Sequence, residues 1–253
     1  MNLVLLEPSE VADDGMVRLS AGRATHLRKV LKVAPGDDVR VGVIDGAMGT
    51  GRVTCTTDGR VDLQCAFDRS VPERPRVDLL LAVPRTKIMR RLWAQLSSLG
   101  VGRVILTNAE KVERDYFGTH LLDEGGYRPL LVEGLQQAKD TRLPVVSIHR
   151  RLKVLVEDEL DALCPDVRRI VAHPGGEGRE SGVASALAAV GERERVLIAV
   201  GPEGGWNAFE LALLEAHGFT RVGLGPRTLS TTTACVALVA LAHDALRRHA
   251  RDA

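Results

Sequence analysis

Two apolar runs in the C-terminal third of the chain stop abruptly in turns rich in glycine and proline. One run gives way to residues 201–206, and the other gives way to residues 225–227, about twenty residues later. Glycine lets a backbone approach a ligand closely, and proline stiffens a turn. We therefore expect a pocket lined by main-chain groups, which suits a cofactor with an amino-acid end and an adenine end. The usual nucleotide motifs, G-x-G-x-x-G after the first strand and G-x-x-x-x-G-K-[ST], are absent.

A third turn of this kind, residues 172–176, follows another short apolar run. In open α/β sheets, ligands bind outside the carboxyl ends of the strands. A single Gly/Pro turn often does no more than end a strand. Three of them in one region favour a ligand site instead.

The pattern around these turns predicts two domains. In residues 1–72, short alternating runs at 39–44, 52–56 and 61–65 predict strands, and Asp-Gly pairs at 45–46 and 58–59 predict turns between them. Together with one short helix at residues 26–32, this pattern predicts a small β-barrel. After the linker at residues 72–75, the pattern in 73–253 becomes strands alternating with helices, which predicts an α/β fold. The predicted elements there are strands 77–83, 104–106, 170–172, 196–200 and 221–224, and helices 89–99, 127–138, 183–190 and 208–217, with a last helix from Thr233. The helix predicted at 208–217 begins with a capping box at Asn207 and Glu210 and ends at Gly218.

Composition narrows the class of protein. Aromatic residues make up only 3% of the chain, which argues against an RNA-binding face of stacked aromatic rings. The four scattered cysteines show no C-x-x-C spacing and are interpreted as reduced packing residues of a cytoplasmic protein. No apolar run has membrane-spanning length, the N-terminus lacks a signal pattern, and no metal site is indicated. The net charge of +1 leaves two basic stretches, 26–32 and 85–91, as candidate nucleic-acid contacts, and a single basic stretch is more often a solvated helix face.

The turns belong to a longer pattern that identifies a family. Residues 201–205 read Gly-Pro-Glu-Gly-Gly, Glu210 and Gly218-Phe219 follow, and residues 224–234 read Leu-Gly-Pro-Arg-x-Leu-x-Thr-x-Thr-Ala. This arrangement resembles the RsmE family, bacterial methyltransferases of the SPOUT superfamily that act on uridine N3 in 16S ribosomal RNA. Weaker matches at residues 26–37, 99–101 and 141–144 fall in the right order, so the resemblance covers nearly the whole chain.

The resemblance implies a SPOUT-type open sheet with a C-terminal trefoil knot, preceded by a small PUA-like β-barrel that grips RNA. It implies a homodimer that binds S-adenosylmethionine in the knot and acts on ribosomal RNA or the small ribosomal subunit. The cofactor-binding residues that it implies are His173, Val200, Gly201, Pro202, Glu203, Gly204, Leu224, Gly225, Arg227, Leu229, Thr233 and Ala234. The candidate RNA-binding residues are His26, Arg28, Lys29, Lys32, Arg85 and Lys87.

Methylation of uracil N3 needs loss of the N3 proton, alignment of the reacting atoms and stabilisation of the charge that develops on the base. Alignment can supply several kcal/mol, and a cation near a uracil oxygen stabilises the anion. Arg227 is the candidate for that cation, and the alternative is an arginine that satisfies carbonyls or a carboxylate. Glu203 is a candidate base, and the alternative is a carboxylate that caps a helix or binds another loop.

The chain departs from the family pattern at several positions. An arginine and a glutamate that usually follow Leu229 are replaced by Ser230 and Thr232. Both charges are lost around residues 95–100, and a Glu-Gln-Ser-x-Arg pattern is altered around residues 136–140. These changes keep two alternatives open. One is a SPOUT methyltransferase with a different target, including a ribose 2′-hydroxyl, and the other is a non-catalytic RNA binder in ribosome assembly.

Overall fold

The computed structural model describes residues 3–57, 59–174, 181–191 and 193–252, without the side chains of residues 20, 21 and 248–252. The chain divides into two units. Met1–Arg74 and Val132–Leu143 form the first, and Pro75–Leu131 and Pro144–Ala253 form the second.

The sequence-based boundary lies close to the observed one, but a single cut after residue 72 is wrong because residues 132–143 belong to the first unit. Leu135 is buried against Leu3, Leu5 and Ile44. The hydroxyl of Thr141 donates to the carbonyl of Gly46 at 2.7 Å. These contacts join segments far apart in sequence, and no local pattern reveals them.

The first unit contains a five-stranded mixed sheet. Its strands are β1 (Val4–Leu6), β2 (Met16–Ser20), β3 (Asp38–Val43), β4 (Met48–Thr57) and β5 (Arg60–Phe67), in the order β1-β3-β4-β5-β2. Only the β1–β3 pair is parallel. Alternate residues of the strands point into one apolar core that also contains Leu27 of helix α1 (Ala21–Lys29). A short 3₁₀ turn covers Pro8–Glu10.

Three of these strands were predicted from the sequence, and β1 and β2 were missed. The predicted helix at residues 26–32 is displaced, since α1 begins at Ala21 and ends at Lys29. It cannot continue to residue 32 because Lys32 has φ 55°, in the left-handed region. The turn predicted at residues 58–59 falls partly on Asp58, which lies outside the described residues.

The second unit contains a six-stranded sheet in which every pair of strands is parallel. The strands are β6 (Val77–Ala82), β7 (Val101–Thr107), β8 (Val145–His149), β9 (Val167–Ala172), β10 (Arg195–Val200) and β11 (Thr220–Val222). Their order is β11-β9-β10-β6-β7-β8. The two central strands, β6 and β10, are apolar and almost wholly buried, as expected for parallel strands covered on both faces.

Helices connect the strands of the second unit. They are α2 (Thr86–Ser98), α3 (Glu124–Ala138, whose last residues belong to the first unit), α4 (Leu152–Val154), α5 (Leu160–Leu163), α6 (Val183–Ala186), α7 (Ala208–Ala216) and α8 (Thr231–Asp252). A π-helical turn at Leu155–Glu159 joins α4 to α5, and 3₁₀ turns cover Arg114–Gly118 and His120–Leu122. The apolar stripe predicted for α2 is confirmed, with Trp93 fully buried and its Nε1 donating to the carbonyl of Leu121 at 3.0 Å.

Several predicted boundaries are confirmed and others are wrong. Gly100 and Gly218 follow α2 and α7 with positive φ, as C-terminal glycines do. The helix predicted at 183–190 ends at Ala186. Leu187 and Val190, later apolar positions of that range, are buried in the segment that follows the helix. The strand predicted at 221–224 is β11, which leaves the sheet at Val222 for the turn that follows. The last helix begins two residues before the predicted Thr233 because Ser230 caps it, and β8 with the segment 152–163 was missed.

Candidate cofactor site

The three Gly/Pro turns follow neighbouring strands of the parallel sheet. Ala172 at the end of β9 lies opposite Val222 at the end of β11, and Val171 lies opposite Ala199 of β10. The carboxyl ends of β9, β10 and β11 therefore meet at one edge. An open cleft lies there, with about 600 Å³ of empty space including the part open to solvent.

Most of the residues expected to bind the cofactor line this cleft. They are His173, Val200, Gly201, Pro202, Glu203, Leu224, Gly225, Arg227, Leu229 and Ala234. The cleft also includes residues that were not proposed as site residues, namely Ala172, Pro174, Gly205, Val222, Thr228 and Thr231. Gly175 and Gly176 of the first turn lie outside the described residues.

Two expected residues, Gly204 and Thr233, are not among those lining the cleft. The carbonyl of Gly204 accepts a hydrogen bond from Lys111 at 2.7 Å. Thr233 lies in the first turn of α8, where its amide and hydroxyl both contact the hydroxyl of Ser230. Their positions suit shaping the cleft wall more than touching a ligand.

The backbone of two turns explains why glycine is needed in the cleft wall. Gly225 has φ +96°, and a Cβ there would meet no atom within 4 Å, so its main chain faces open space. Gly201 is packed closely, because a Cβ there would lie 3.0 Å from the amide nitrogen of Trp206. The cleft thus offers exposed main-chain groups, apolar side chains from Val200 and Leu229, and the charged ends of Glu203 and Arg227. Apolar side chains combined with a few polar and charged groups are typical of a small-molecule site.

Glu203 binds another loop, which is one of the alternatives considered for it. Its Oε1 accepts a hydrogen bond from the backbone amide of Arg85 at 3.0 Å, just before α2 begins. An acidic group at this end of a helix is favoured by the helix dipole. The carboxylate therefore ties the turn after β10 to the start of α2.

Arg227 is an exposed residue in the wall of the cleft. Among the residues that the structure describes, its guanidinium has no carboxylate or carbonyl partner. The alternative in which Arg227 satisfies groups of the fold is therefore not found in the described part of the chain. Its five N–H donors remain available to a ligand.

The turn at residues 201–207 is also held from its other side. The capping box predicted at the start of α7 is confirmed, with the amides of Asn207 and Glu210 each bound to the other's side chain at 2.8 Å. The second carboxylate oxygen of Glu210 accepts from the amide of Glu110 at 2.7 Å. Sequence analysis missed Glu110 and Lys111, although both lie a few residues after the strand predicted at 104–106, near the carboxyl ends of the strands.

The candidate RNA-binding residues form two groups, one in each unit. His26, Lys29 and Lys32 are exposed on or just after α1, and Arg28 is half-buried. Residues 21–33 contain no acidic residue. Arg85 and Lys87 are exposed at the start of α2, where Arg85 lies close to Tyr116. Burial and the neighbouring Glu113 raise the pKa of Tyr116.

The cysteines behave as packing residues. Burial raises the pKa of Cys65 to about 11 and that of Cys235 to about 12, so both thiols stay protonated at neutral pH. In the described residues, no group of three or more histidine, cysteine, aspartate or glutamate side chains could hold a metal ion. None of the helices described is long and apolar enough to cross a membrane.

The fold and the cleft together define an α/β protein with an open cleft at the carboxyl edge of a parallel sheet. The model of the RNA methyltransferase domain matches residues 72–243. The chain therefore belongs to the RNA methyltransferase domain family, and the resemblance to the RsmE family is confirmed.

Individual relatives are similar to this chain over nearly its full length. Ribosomal RNA small subunit methyltransferase E of Treponema pallidum is 29% identical over 252 residues, 96% of this chain and 92% of that protein. Ribosomal RNA small subunit methyltransferase E 1 of Borreliella burgdorferi is 24% identical over 94% of this chain and 95% of its own length. Among solved structures, Ribosomal RNA small subunit methyltransferase E from Neisseria gonorrhoeae bound to S-adenosyl methionine has the same fold, with a TM-score of 0.76 and 20% identity over 96% of this chain and 97% of that one.

Proposed function

We propose that this chain is an S-adenosylmethionine-dependent methyltransferase that modifies N3 of a uridine in 16S ribosomal RNA. One observation supports this most directly. In a chain of the RNA methyltransferase family, ten of the residues expected to bind the cofactor line one cleft at the carboxyl edge of the sheet. A relative with the same fold carries S-adenosyl methionine in its crystal structure.

The turns at residues 172–174, 200–205 and 224–229 would hold the cofactor. When bound, S-adenosylmethionine supplies a methyl group already activated by a sulfonium, so the chemistry requires no metal. Apolar side chains such as Leu229 would exclude water from the base and linker, and main-chain groups of the turns would fix orientation. Fixing orientation can lower the barrier to such a transfer by several kcal/mol.

Arg227 would act on the uracil. A neutral N3–H is a poor nucleophile, and its ionisation places negative charge on the flanking carbonyl oxygens. A guanidinium at the cleft wall, without a partner in the described residues, can donate to one of those oxygens and stabilise the anion. Glu203 is a weaker candidate for the base, since its carboxylate already accepts the amide of Arg85.

The topology supports a C-terminal trefoil knot as part of this proposal. β11 pairs with β9 on one side and with Ser181 on the other. The amide of Ser181 donates to the carbonyl of Arg221, and the amide of Gly223 donates to the carbonyl of Ser181, each at 3.2 Å. The end of β9 therefore lies on one side of β11, and Ser181 lies on the other side. β11 therefore lies between β9 and the segment that begins at Ser181, an arrangement that supports the threaded chain of a SPOUT knot.

The remaining parts of the proposal concern RNA and assembly. The first unit would be the PUA-like barrel that grips RNA through the basic residues on and after α1. Arg85 and Lys87 are the candidate RNA-binding residues of the second unit. We further propose a cytoplasmic homodimer. The exposure of Leu241 on α8, 44%, is in line with an apolar contact to a second copy.

The test compares ribosomal RNA nucleosides from a strain that lacks the gene with those from the parent strain, by mass spectrometry. We expect N3-methyluridine to disappear from 16S RNA and to return when the wild-type gene is restored. Unchanged N3-methyluridine would contradict the proposal. Loss of a 2′-O-methylated nucleoside instead would identify the methyltransferase with a different target.

Calorimetry tests the non-catalytic alternative, which the replacements at Ser230 and Thr232 suggest. Ser230 caps α8 through the amide of Thr233, so this replacement has a structural role. We expect the purified protein to bind S-adenosylmethionine and its demethylated product. Failure to bind either would favour an RNA binder that kept the fold.

A further inference from the structure

The segment that follows β7 contacts the main chain of the turn after β10 at residues that do not themselves line the cleft. The ammonium of Lys111 donates to the carbonyl of Gly204 at 2.7 Å. The stem of the same side chain lies against Gly204, since a Cβ on that glycine would come within 2.7 Å of Lys111 Cδ. Lys111 therefore both supports and hydrogen-bonds the turn.

A second link joins the same two segments one residue away. The backbone amide of Glu110 donates to the carboxylate of Glu210, which is 4% exposed. Glu210 in turn accepts the amide of Asn207, where the turn passes into α7. The flanking residues Ala109 and Val112 are buried, so the segment is anchored and can act as a fixed support.

The neighbouring residues Gly201, Pro202, Glu203 and Gly205 line the cleft, whereas Gly204 carries the contact to Lys111. Gly205 has φ +67° and Gly204 has no side chain, so the turn has many alternative conformations when it is not held. A binding site that is populated only part of the time loses apparent affinity in proportion to that fraction. A support for Gly204 should therefore raise affinity for the ligand of the cleft.

We propose that Lys111 is a positioning residue that holds the turn at residues 201–205 in its ligand-binding conformation. This inference rests on the proposed function, because the ligand used to test it is S-adenosylmethionine. Lys111 acts through the carbonyl of Gly204 and does not line the cleft. Its effect should appear in cofactor affinity and not in the chemical step.

The experiment compares the full-length wild type with Lys111→Met, which keeps most of the apolar stem and removes the donor. Calorimetry with S-adenosylmethionine should show a rise in Kd of roughly three- to tenfold, the loss expected for one hydrogen bond. In methylation assays, KM for the cofactor should rise by a similar factor, while kcat at saturating cofactor stays within about twofold. The thermal midpoint of the ligand-free protein should stay close to that of the wild type, because the bond is exposed.

Two further variants make the result specific. Lys111→Arg retains a donor and a long stem and should restore most of the affinity. Lys153→Met removes an exposed lysine that pairs with Glu157, and should bind the cofactor as the wild type does. Wild-type affinity in Lys111→Met would overturn the positioning role. Absence of binding in the wild type would instead overturn the proposed function, so the two failures are distinguishable.

Discussion

The two ends of the six-stranded sheet are built in different ways. At the carboxyl ends of β9, β10 and β11, glycine and proline turns expose main-chain groups to an open cleft. At the amino ends, long arginine side chains fill the space. Arg195 forms two hydrogen bonds to the buried carboxylate of Asp78, at 2.6 and 2.9 Å. Arg76 donates to the carbonyls of Gly191 and Leu246 at the same end of the second unit, each at 3.3 Å.

This difference implies a division of labour. Asp78 and Arg195 at the amino ends bind each other, so removing Asp78 leaves the guanidinium of Arg195 without that partner. The side chain of Arg227 in the cleft wall is exposed, so removing it changes what a ligand meets and leaves the fold largely unchanged. Substitutions at the two ends should therefore separate loss of stability from loss of binding or turnover.

The largest expected effect is at the amino end. Asp78→Ala removes a fully buried carboxylate and leaves Arg195 without its partner. We expect a loss of about 3 kcal/mol in the free energy of unfolding, because breaking a buried ion pair from one side strands the other charge. Urea denaturation measures this loss, and cofactor affinity of the folded protein should not change.

Asp158→Ala is the matched control for Asp78→Ala, since Asp158 is exposed in the π-helical turn. Its free energy of unfolding should stay within about 0.5 kcal/mol of the wild type. If Asp78→Ala folds as stably as this control, the amino end does not carry the structural role assigned to it.

The next effect is at the carboxyl end. Arg227→Ala should lower kcat by about 10²-fold or more, while Kd for S-adenosylmethionine changes by less than about tenfold. The reason is that an exposed guanidinium at the cleft wall is free to stabilise charge on the substrate. Steady-state methylation assays and calorimetry give the two numbers.

The variant Arg227→Lys sharpens the result for this residue. Lysine keeps the positive charge but not the planar fork of donors, so partial recovery of kcat would indicate that charge carries the effect. Equal losses in cofactor binding and turnover for Arg227→Ala would refute a catalytic role.

The same contrast explains what sequence reasoning recovers. The cofactor turns were found because glycine and proline mark them locally, and most of the expected residues do line one cleft. The contacts at Glu110, Lys111 and Asp78 were missed because each joins positions about 90 to 120 residues apart. Spacing within a helix or strand carries no record of such a partner.

The sequence analysis missed shorter elements for a related reason. β1 has only three residues and gains its place by pairing with β3, and Leu135 groups with the first unit through contacts to Leu3 and Leu5. These features depend on tertiary packing, which overrides weak local preference. The strongly patterned α2 and the capped α7 did not need such help and were predicted well.

The smallest expected effect concerns pH and again lies at the amino end of the sheet. His243 of α8 is half-buried, and its Nε2 donates to the carbonyl of Gly100 at 3.0 Å, just before β7. Burial lowers the pKa of His243 below its ordinary value of 6.5, although the bond to Gly100 opposes this. The unfolded chain therefore takes up a proton at a higher pH than the folded protein does. It follows that the stability contributed by the neutral imidazole is present above about pH 6.5 and declines as the pH falls through the lower, folded value.

Urea unfolding of the wild type and of His243→Gln at several pH values between 7.5 and 5 tests this interpretation. The glutamine amide can still donate to Gly100 but does not titrate, so the variant should lose less stability on acidification. A single group can contribute a slope of at most about 1.4 kcal/mol per pH unit, and the difference between the two proteins should lie below that limit. Parallel pH profiles would show that His243 is protonated equally in the folded and unfolded states. Burial at the amino end of the sheet would then not lower the pKa of His243. Cofactor affinity measured at pH 7.5 should be the same in both proteins, since His243 does not line the cleft.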